Sequence, residues 1–336
     1  MAIGETTYVD GVREQLLSGR ARLSDVLGQS GSEQMVRLLE EVDSALERIN
    51  HGTFGICETC HDTVEEDRLR DNPLVRVCLG CLTEKQQRAL EYDLELAAEI
   101  QKGLLPPSDV SFPGWDVSYH YQAAGVVSGD YCDVIAGPNG DIYFVMADVS
   151  GKGVAAAMLS SNLRAVMRSL VPLGLSTEDL MTRANSIFRQ SVLPMQYATV
   201  VCGRANSAGE IEIVNAGHLP ALLGHAKGIS VFESTSQPLG LFDDQKFIAA
   251  KEKLQPGETL VLYTDGVSEA ENDGGEEYGV ERLLQLIDAH CSGCPVDLID
   301  KCKQNLMQFR GGRERADDET LLALQFTPAA MRSAMA

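Results

Sequence analysis

The chain of 336 residues is 44% hydrophobic and carries 28 lysines and arginines against 49 aspartates and glutamates, for a formal net charge of -21. That length suits one large domain plus a small one, and the negative balance excludes a general affinity for nucleic-acid phosphates. No stretch approaches the roughly 20 apolar residues of a membrane span, and Met1 to Ser30 has no basic start followed by an apolar run, so a cytoplasmic protein without a membrane partner is expected.

In chain order, Met35, Leu38, Leu39, Val42, Leu46 and Ile49 recur at the spacing of one helical face, which His51-Gly-Thr-Phe-Gly55 stops. A single helix of some twenty residues is all that the first fifty positions clearly encode. Cys57 and Cys60, then seventeen residues, then Cys78 and Cys81 form two Cys-x2-Cys pairs at zinc spacing. Four thiolates closing a tetrahedral site can fold a segment too short to build its own core, so a structural zinc ion is expected. The nine cysteines, odd in number and partly paired in this way, read as reduced.

Thr83 to Leu105 reads as a helix, with Leu90, Leu94, Ala97 and Leu104 at heptad positions d, a, d and d and Gln101 at a. It either packs on its own domain or pairs two chains, and Pro106-Pro107 ends it. Phe112, Trp115, Tyr119 and Tyr121 are read as packing the edge of the domain that follows. Asp141 to Asp148 is a nearly continuous apolar strand, followed by the alanine-rich helix Val154 to Leu170. Tyr197 to Arg204, Glu210 to Asn215 and Leu219 to Leu223 are expected to form a meander, joined by Ser207-Ala-Gly209 and by Asn215-Ala-Gly-His218. Pro256-Gly257 suits a type II turn into a strand from Thr259 to Thr264. Helices over Glu281 to His290 and Val296 to Phe309, a last strand Thr320 to Phe326, and a tail Met331 to Ala336 complete the chain. Cys291, Cys294 and Cys302 lack a partner pair at zinc spacing and are read as free structural thiols.

Five aspartates stand where strands meet polar or glycine-rich turns: Asp130 in Ser128-Gly-Asp-Tyr-Cys-Asp133, Asp148 in Ala147-Asp-Val-Ser-Gly-Lys-Gly153, Asp265 in Tyr263-Thr-Asp-Gly266, and Asp317-Asp318. Clustered carboxylates repel one another unless paired, neutralised or metallated, and oxygen-only ligation favours magnesium or manganese. The pattern therefore points to a cage for two hard cations. Two such ions lower the pKa of a water between them and stabilise both the entering and the leaving oxygen of a phosphoryl transfer. Ser150 is not expected to be a nucleophile, because its surroundings match neither Gly-x-Ser-x-Gly nor a nucleotide loop.

These motifs, with Glu99-Ile-Gln-Lys-Gly-Leu-Leu-Pro106, Asn215-Ala-Gly-His218 and Pro238-Leu-Gly240, resemble in order and wording the SpoIIE/RsbU branch of the metal-dependent serine/threonine protein phosphatases, the PPM superfamily. Ile49 to Cys60 and Arg76 to Cys81 resemble the DksA/TraR four-cysteine zinc finger. The phosphatase resemblance implies an α+β chain in which an α-β-β-α sandwich follows a small helical zinc-finger domain and a linker helix. The expected divisions are 1–52 helical, 53–82 zinc finger, 83–106 linker helix, 107–327 phosphatase and 328–336 tail.

By the same resemblance, Asp148 bridges both manganese or magnesium ions, the Val149 carbonyl completes one, and Asp265 and Asp317 hold the other. Asp130 acts directly or through water, and Asp318 joins the set. Lys152, where many relatives carry histidine, and His218 are candidates for substrate contact. The implied substrate is a phosphoserine or phosphothreonine protein, typically a STAS-domain anti-anti-sigma factor in partner switching, with a homodimer formed through the linker helix. Two rivals are a zinc-finger adaptor that binds transcription machinery with the phosphatase fold as scaffold, and a phosphatase for small phosphorylated molecules.

Overall fold

A computed structural model describes residues 3–27, 33–82, 84–107, 112–193 and 196–328, and the chain divides into two compact units, Met1–Asp93 and Leu94–Ala336. Thr83, expected to open the linker helix, and the expected tail Met331 to Ala336 lie outside the described residues.

The first unit begins with two helices, α1 (Ile3–Leu27) and α2 (Glu33–Asn50), where a single helix was expected. Val12 and Leu16 of α1 are buried with Val42, Ala45 and Leu46 of α2. Arg13 bonds Asn50 and Arg20 pairs with Asp43, so moving forward along α1 moves backward along α2. The hairpin is antiparallel. α1 escapes pattern reading because its packed positions are few and sit among charged residues, Gly11 and Gly19, leaving no broad apolar stripe.

The cysteine segment folds against α2 through Arg48, whose guanidinium is buried and donates to the carbonyls of Val75 at 2.8 Å and Leu74 at 3.3 Å. A short bridge between Ile56 and Thr63, then α3 (Glu66–Asp71), frames the four cysteines. α4 (Glu84–Leu104) begins in this unit and ends in the second.

In the second unit the strands are β1 (Trp115–Gln122), β2 (Asp130–Ala136), β3 (Ile142–Val149), β4 (Ala198–Ala205), β5 (Glu210–Ala216), β6 (Ala221–His225), β7 (Gly228–Phe232), β8 (Ala250–Lys253), β9 (Thr259–Tyr263) and β10 (Glu319–Phe326). They form two five-stranded sheets, ordered β1-β10-β9-β6-β7 and β2-β3-β4-β5-β8, with antiparallel neighbours throughout. α5 (Gly153–Leu170) and α6 (Thr177–Phe188) cover the second sheet. α8 (Val280–His290) and α9 (Pro295–Arg310) cover the first.

β3 explains why its sequence is almost wholly apolar. Ile142, Phe144 and Met146 enter the core between the sheets, while Tyr143, Val145, Ala147 and Val149 face α5 and α6. A strand buried on both faces loses the polar alternation of a half-exposed one. The result is an α-β-β-α sandwich. Trp115 lies on β1, an edge strand, buried to 1% exposure, with its indole N–H donating to the Asn206 carbonyl at 3.0 Å.

One expectation about topology needs correction. β4 and β5 pair as a hairpin, but β6 joins the other sheet, so Asn215-Ala-Gly-His218 is a corner between sheets rather than a meander turn. Gly217 adopts φ +73°, and a Cβ there would lie 2.4 Å from the Pro238 ring, so the corner needs glycine on both counts. Pro256-Gly257 does form the expected turn: Gly257 has φ +89° and the Glu258 N–H donates to the Gln255 carbonyl.

Asp133 of β2 is fully buried, accepting two hydrogen bonds from Arg168 at 2.7 and 2.8 Å and one from the Tyr131 hydroxyl at 3.2 Å. Replacing it with alanine strands these donors beneath α5. Asp133→Ala is expected to cost about 2–4 kcal/mol in urea unfolding, somewhat less than the roughly 3–5 kcal/mol of a fully buried pair because Arg168 keeps some contact with water. A loss under about 0.5 kcal/mol would contradict this role.

Candidate active site

The side chains that alternate into the core between the sheets end, at one rim, in polar groups. In β2 the series Val134, Cys132 continues to Asp130, and in β3 Phe144, Met146 continues to Asp148; the two aspartates are register partners. From the other sheet, Leu262 of β9 leads to Thr264, and Leu322 of β10 leads back to Thr320 and Asp318. One period-2 pattern on four strands thus delivers three carboxylates and two hydroxyls to a single place.

Asp130 is the innermost of them. Its Oδ2 accepts from the Thr264 hydroxyl at 2.9 Å and from the Thr320 hydroxyl at 2.5 Å, and its backbone N–H donates to the Ser128 hydroxyl at 3.0 Å. Burial raises its pKa well above the usual carboxylate range, with Asp148 and Asp318 adding repulsion and the threonine bonds pulling back. Neither threonine stood out in the sequence.

Asp318 spends both oxygens on backbone: Oδ1 accepts from the Ala124 N–H and Oδ2 from the Gly129 N–H, each at 2.8 Å. Expected among the cation ligands, it is here the fastener of the 124–129 loop. The same loop is gripped from α4, where the Gln101 amide donates to the Ser128 carbonyl at 2.7 Å and accepts the Ser128 N–H at 2.9 Å. Gln101, read as a register-setting residue between two helices, is thus engaged within its own chain.

Asp265 opens the short helix α7 (Asp265–Ser268), and the next residue has to be glycine: a Cβ on Gly266 would fall 2.1 Å from the Asp318 carbonyl oxygen. Asp317 is paired with Lys152, whose ammonium lies 2.9 Å from Oδ2 and donates to the Ala316 carbonyl at 2.9 Å. Gly129 is held close to the Val149 carbonyl, 3.2 Å from where its Cβ would stand. Beside these groups a cavity of about 230 Å³ is lined by Lys152, Gly266, Glu269, Arg315, Asp317 and Glu319 among others.

The remaining candidates are settled by their bonds. Ser150 accepts the Tyr197 N–H at 2.9 Å, and its own N–H donates to the Tyr197 carbonyl, so its hydroxyl braces the loop. His218 is buried, with Nδ1 2.8 Å from the Thr199 hydroxyl and Nε2 3.1 Å from the Tyr263 carbonyl. Burial pushes its pKa down to about 4. With both ring nitrogens occupied between the sheets, His218 has none left for a substrate, which corrects its candidacy.

Do these residues fit divalent cations? Asp148 is pushed up to about 7, first by burial and then by the charges of Asp265, Asp317 and Asp318, with Lys152 opposing. Asp265 is raised by burial and by Asp317. Such mutual repulsion is relieved by cations, and the oxygen-only donor set suits magnesium or manganese, so the site fits them. Among the described residues the aspartates form no group with all ligand atoms within 4.8 Å of one another. Ligands divided between two ions would not need to, because two-metal sites in general separate their ions by about 3.5–4 Å.

The cysteines do form such a group. Cys57, Cys60, Cys78 and Cys81 place their sulfurs within 4.8 Å of one another, with Cys60 and Cys78 3.7 Å apart. Backbone N–H groups of Cys60 and Cys78 draw the Cys57 thiol down to about 6, towards the thiolate a metal needs. Cys291 and Cys302 are buried, and the exposed Cys294 caps α9 by accepting the Asp297 N–H.

Residues 138–327 match the family model described as stage II sporulation protein E (SpoIIE), and residues 52–87 match the prokaryotic dksA/traR C4-type zinc finger. Protein IcfG of Synechocystis sp. is 27% identical over 261 residues, which cover 69% of this chain and 41% of that protein. Phosphoserine phosphatase RsbU of Bacillus subtilis is 25% identical over 244 residues, covering 71% of each. The crystal structure of the RsbU and RsbW domains of a Mycobacterium tuberculosis protein matches with a TM-score of 0.57 at 29% identity, covering 66% of this chain and 62% of that one. The chain therefore spans less than half of IcfG and less than two thirds of the mycobacterial structure.

The raised pKa of Asp148 has a consequence for stability. A carboxylate raised by folding contributes stability below its ordinary range and loses it as pH climbs through about 7. In protein free of magnesium and manganese, Asp148→Asn is therefore expected to raise the melting temperature at pH 8, with a gain that shrinks towards pH 4. Thermal denaturation across that range checks it; a variant less stable than the parent at pH 8 would count against the crowding of charge described above.

Proposed function

This chain belongs to the family of stage II sporulation protein E, and on that footing we propose that it is a metal-dependent phosphatase acting on phosphoserine or phosphothreonine of a partner protein. The observation that carries this reading is the convergence of Asp148, Asp265 and Asp317 on one rim of the sandwich, each supplied by a different segment and crowded enough to repel. Asp148, Asp265, Asp317 and the Val149 carbonyl would hold two magnesium or manganese ions, with Asp130 behind them. Bound there, such ions activate water for in-line attack and neutralise charge on the phosphoryl group.

The chain's own residues do the rest. Asp130, tied to Thr264 and Thr320, fixes the separation of the two sheets at the site. Lys152 is exposed enough to contact a phosphate oxygen, and the cavity next to Asp317 can admit a side chain. Ser150 and His218 are engaged with neighbouring segments, which supports water as the attacking group. The expected partner is a phosphorylated STAS-domain anti-anti-sigma factor, a reading supported by the similarity to a phosphoserine phosphatase of Bacillus subtilis. A cytoplasmic setting is part of this proposal, supported by four cysteines gathered as a metal-type cluster; among the described residues no helix is long and apolar enough to cross a membrane.

Manganese-dependent release of phosphate from a phosphoserine protein should fall at least about a hundredfold in Asp148→Asn and in Asp265→Asn, which keep shape and lose charge. Unchanged turnover in both folded variants would leave the adaptor reading as the better one. Faster turnover of a small phosphoester than of any phosphoprotein would favour the small-molecule phosphatase.

The cysteine cluster is proposed to hold one structural zinc ion, separable from catalysis because thiolates take zinc while carboxylates take harder ions. Cys57→Ser with Cys60→Ser should lose that zinc by elemental analysis. Full retention would refute the assignment.

α4 is proposed to pair two chains. Leu90, of the stripe read as a seam, is exposed on it, and Tyr92, Leu96 and Ile100 are exposed about a third of a turn away, apolar side chains left open to solvent. Charged residues in place of Leu90 and Leu94 should halve the mass seen by light scattering and alter basal turnover. A parent protein already monomeric, with a variant of equal activity, would reduce α4 to a tether.

A further inference from the structure

We propose that Lys152 is a tethered counter-cation of the aspartate cage, neutralising Asp317 in the metal-free protein and competing with a divalent cation for it. This rests on the reading of the cage as a dication site, and it concerns what that site does when empty.

The lysine is held by charge rather than by packing. Its side chain is 69% exposed, yet its ammonium reaches back 2.9 Å to Asp317 Oδ2 and 2.9 Å to the Ala316 carbonyl. The backbone is shaped for that return: Gly151 and Gly153, on either side, adopt φ +94° and +74°, conformations that residues with a side chain rarely take. Lys152 itself is extended and stands immediately before α5, so its stem projects across the rim. There it faces Asp317, Asp318, Asp265 and Asp148.

An ammonium is a compact single charge with three donors on a flexible stem of four carbons. It can quiet one carboxylate, but it cannot be shared among several as a dication is. Asp317 therefore has two suitors. A cation arriving at Oδ2 takes the atom the lysine holds and repels the lysine's charge, and the exposed stem lets the ammonium swing into water. Metal affinity is set by the difference between the two states, so removing the lysine should tighten binding.

The test is calorimetric titration of manganese chloride into the full, zinc-loaded chain, comparing the parent with Lys152→Met and Lys152→Arg. The weaker manganese site should bind about 1.5- to fivefold more tightly in Lys152→Met, the range corresponding to an exposed ion pair. Lys152→Arg, which keeps the charge, should bind as the parent does. Equal or weaker binding in Lys152→Met overturns the proposal and leaves the cage reading intact. So does an equal gain in Lys152→Arg, since the effect would then be one of shape. Absence of manganese binding in all three proteins, with zinc retained, overturns both the proposal and the cage reading.

Discussion

The site depends on a buried carboxylate bound across two sheets. Asp130 belongs to one sheet, and the two hydroxyls it binds, Thr264 and Thr320, belong to chain segments at the end of the other. Apolar packing fills most of the space between the sheets and by itself resists separation but tolerates sliding, with polar links at its margins from Trp115 to Asn206 and through His218 to Thr199 and Tyr263. Directional bonds at the rim remove that freedom where distances matter. Thr264 and Thr320 are themselves cross-linked, the Thr320 N–H donating to the Thr264 hydroxyl at 3.0 Å, so one network fixes the origin of the Asp265 and Asp317–Asp318 segments together.

Such an arrangement stores unfavourable energy. Asp148 and Asp265 are both raised by burial and by neighbouring acids, and a fold optimised for stability alone would not gather them. The cost is carried by the surroundings: a continuous apolar core on both faces of β3, the Asp133–Arg168 pair that ties β2 to α5, and the buried pair of Arg310 with Glu319 in the wall of the cavity. Rigid support around a repelling cluster keeps the acids from spreading apart.

Much of this was legible. A strand buried on both faces announces itself as a continuous apolar run, and Asp148 at its end marks the rim. Asp265 and Asp317 were read in the same way, as acids standing where a strand meets a polar turn. The threonines were not, because hydroxyls one step along an alternating strand look like any β-branched surface residue. Gln101 misled because heptad position is a statement about a helix's faces, and a polar residue there can serve a partner chain or its own. The corner at Asn215 to His218 misled because strand spacing alone does not say which of two sheets a strand joins. α1 was missed because a helix packed by one residue per turn has almost no pattern.

The placement of Gln101 gives α4 a mechanical consequence that its sequence did not declare. The same amide that holds the helix end binds both backbone groups of Ser128, whose hydroxyl accepts the Asp130 N–H and whose neighbour Gly129 donates to Asp318. Two residues therefore lie between a side chain on α4 and the carboxylate that joins the sheets. A helix transmits rotation and translation along its axis with little loss, because its hydrogen bonds leave the backbone few soft modes. Displacing the last turns of α4 by an ångström would have to break the Gln101 pair or carry Ser128 with it. In the second case the rim moves as well. Alternative packings of α4 are thus coupled to alternative geometries of the aspartates, and binding that favours one packing must favour the matching geometry.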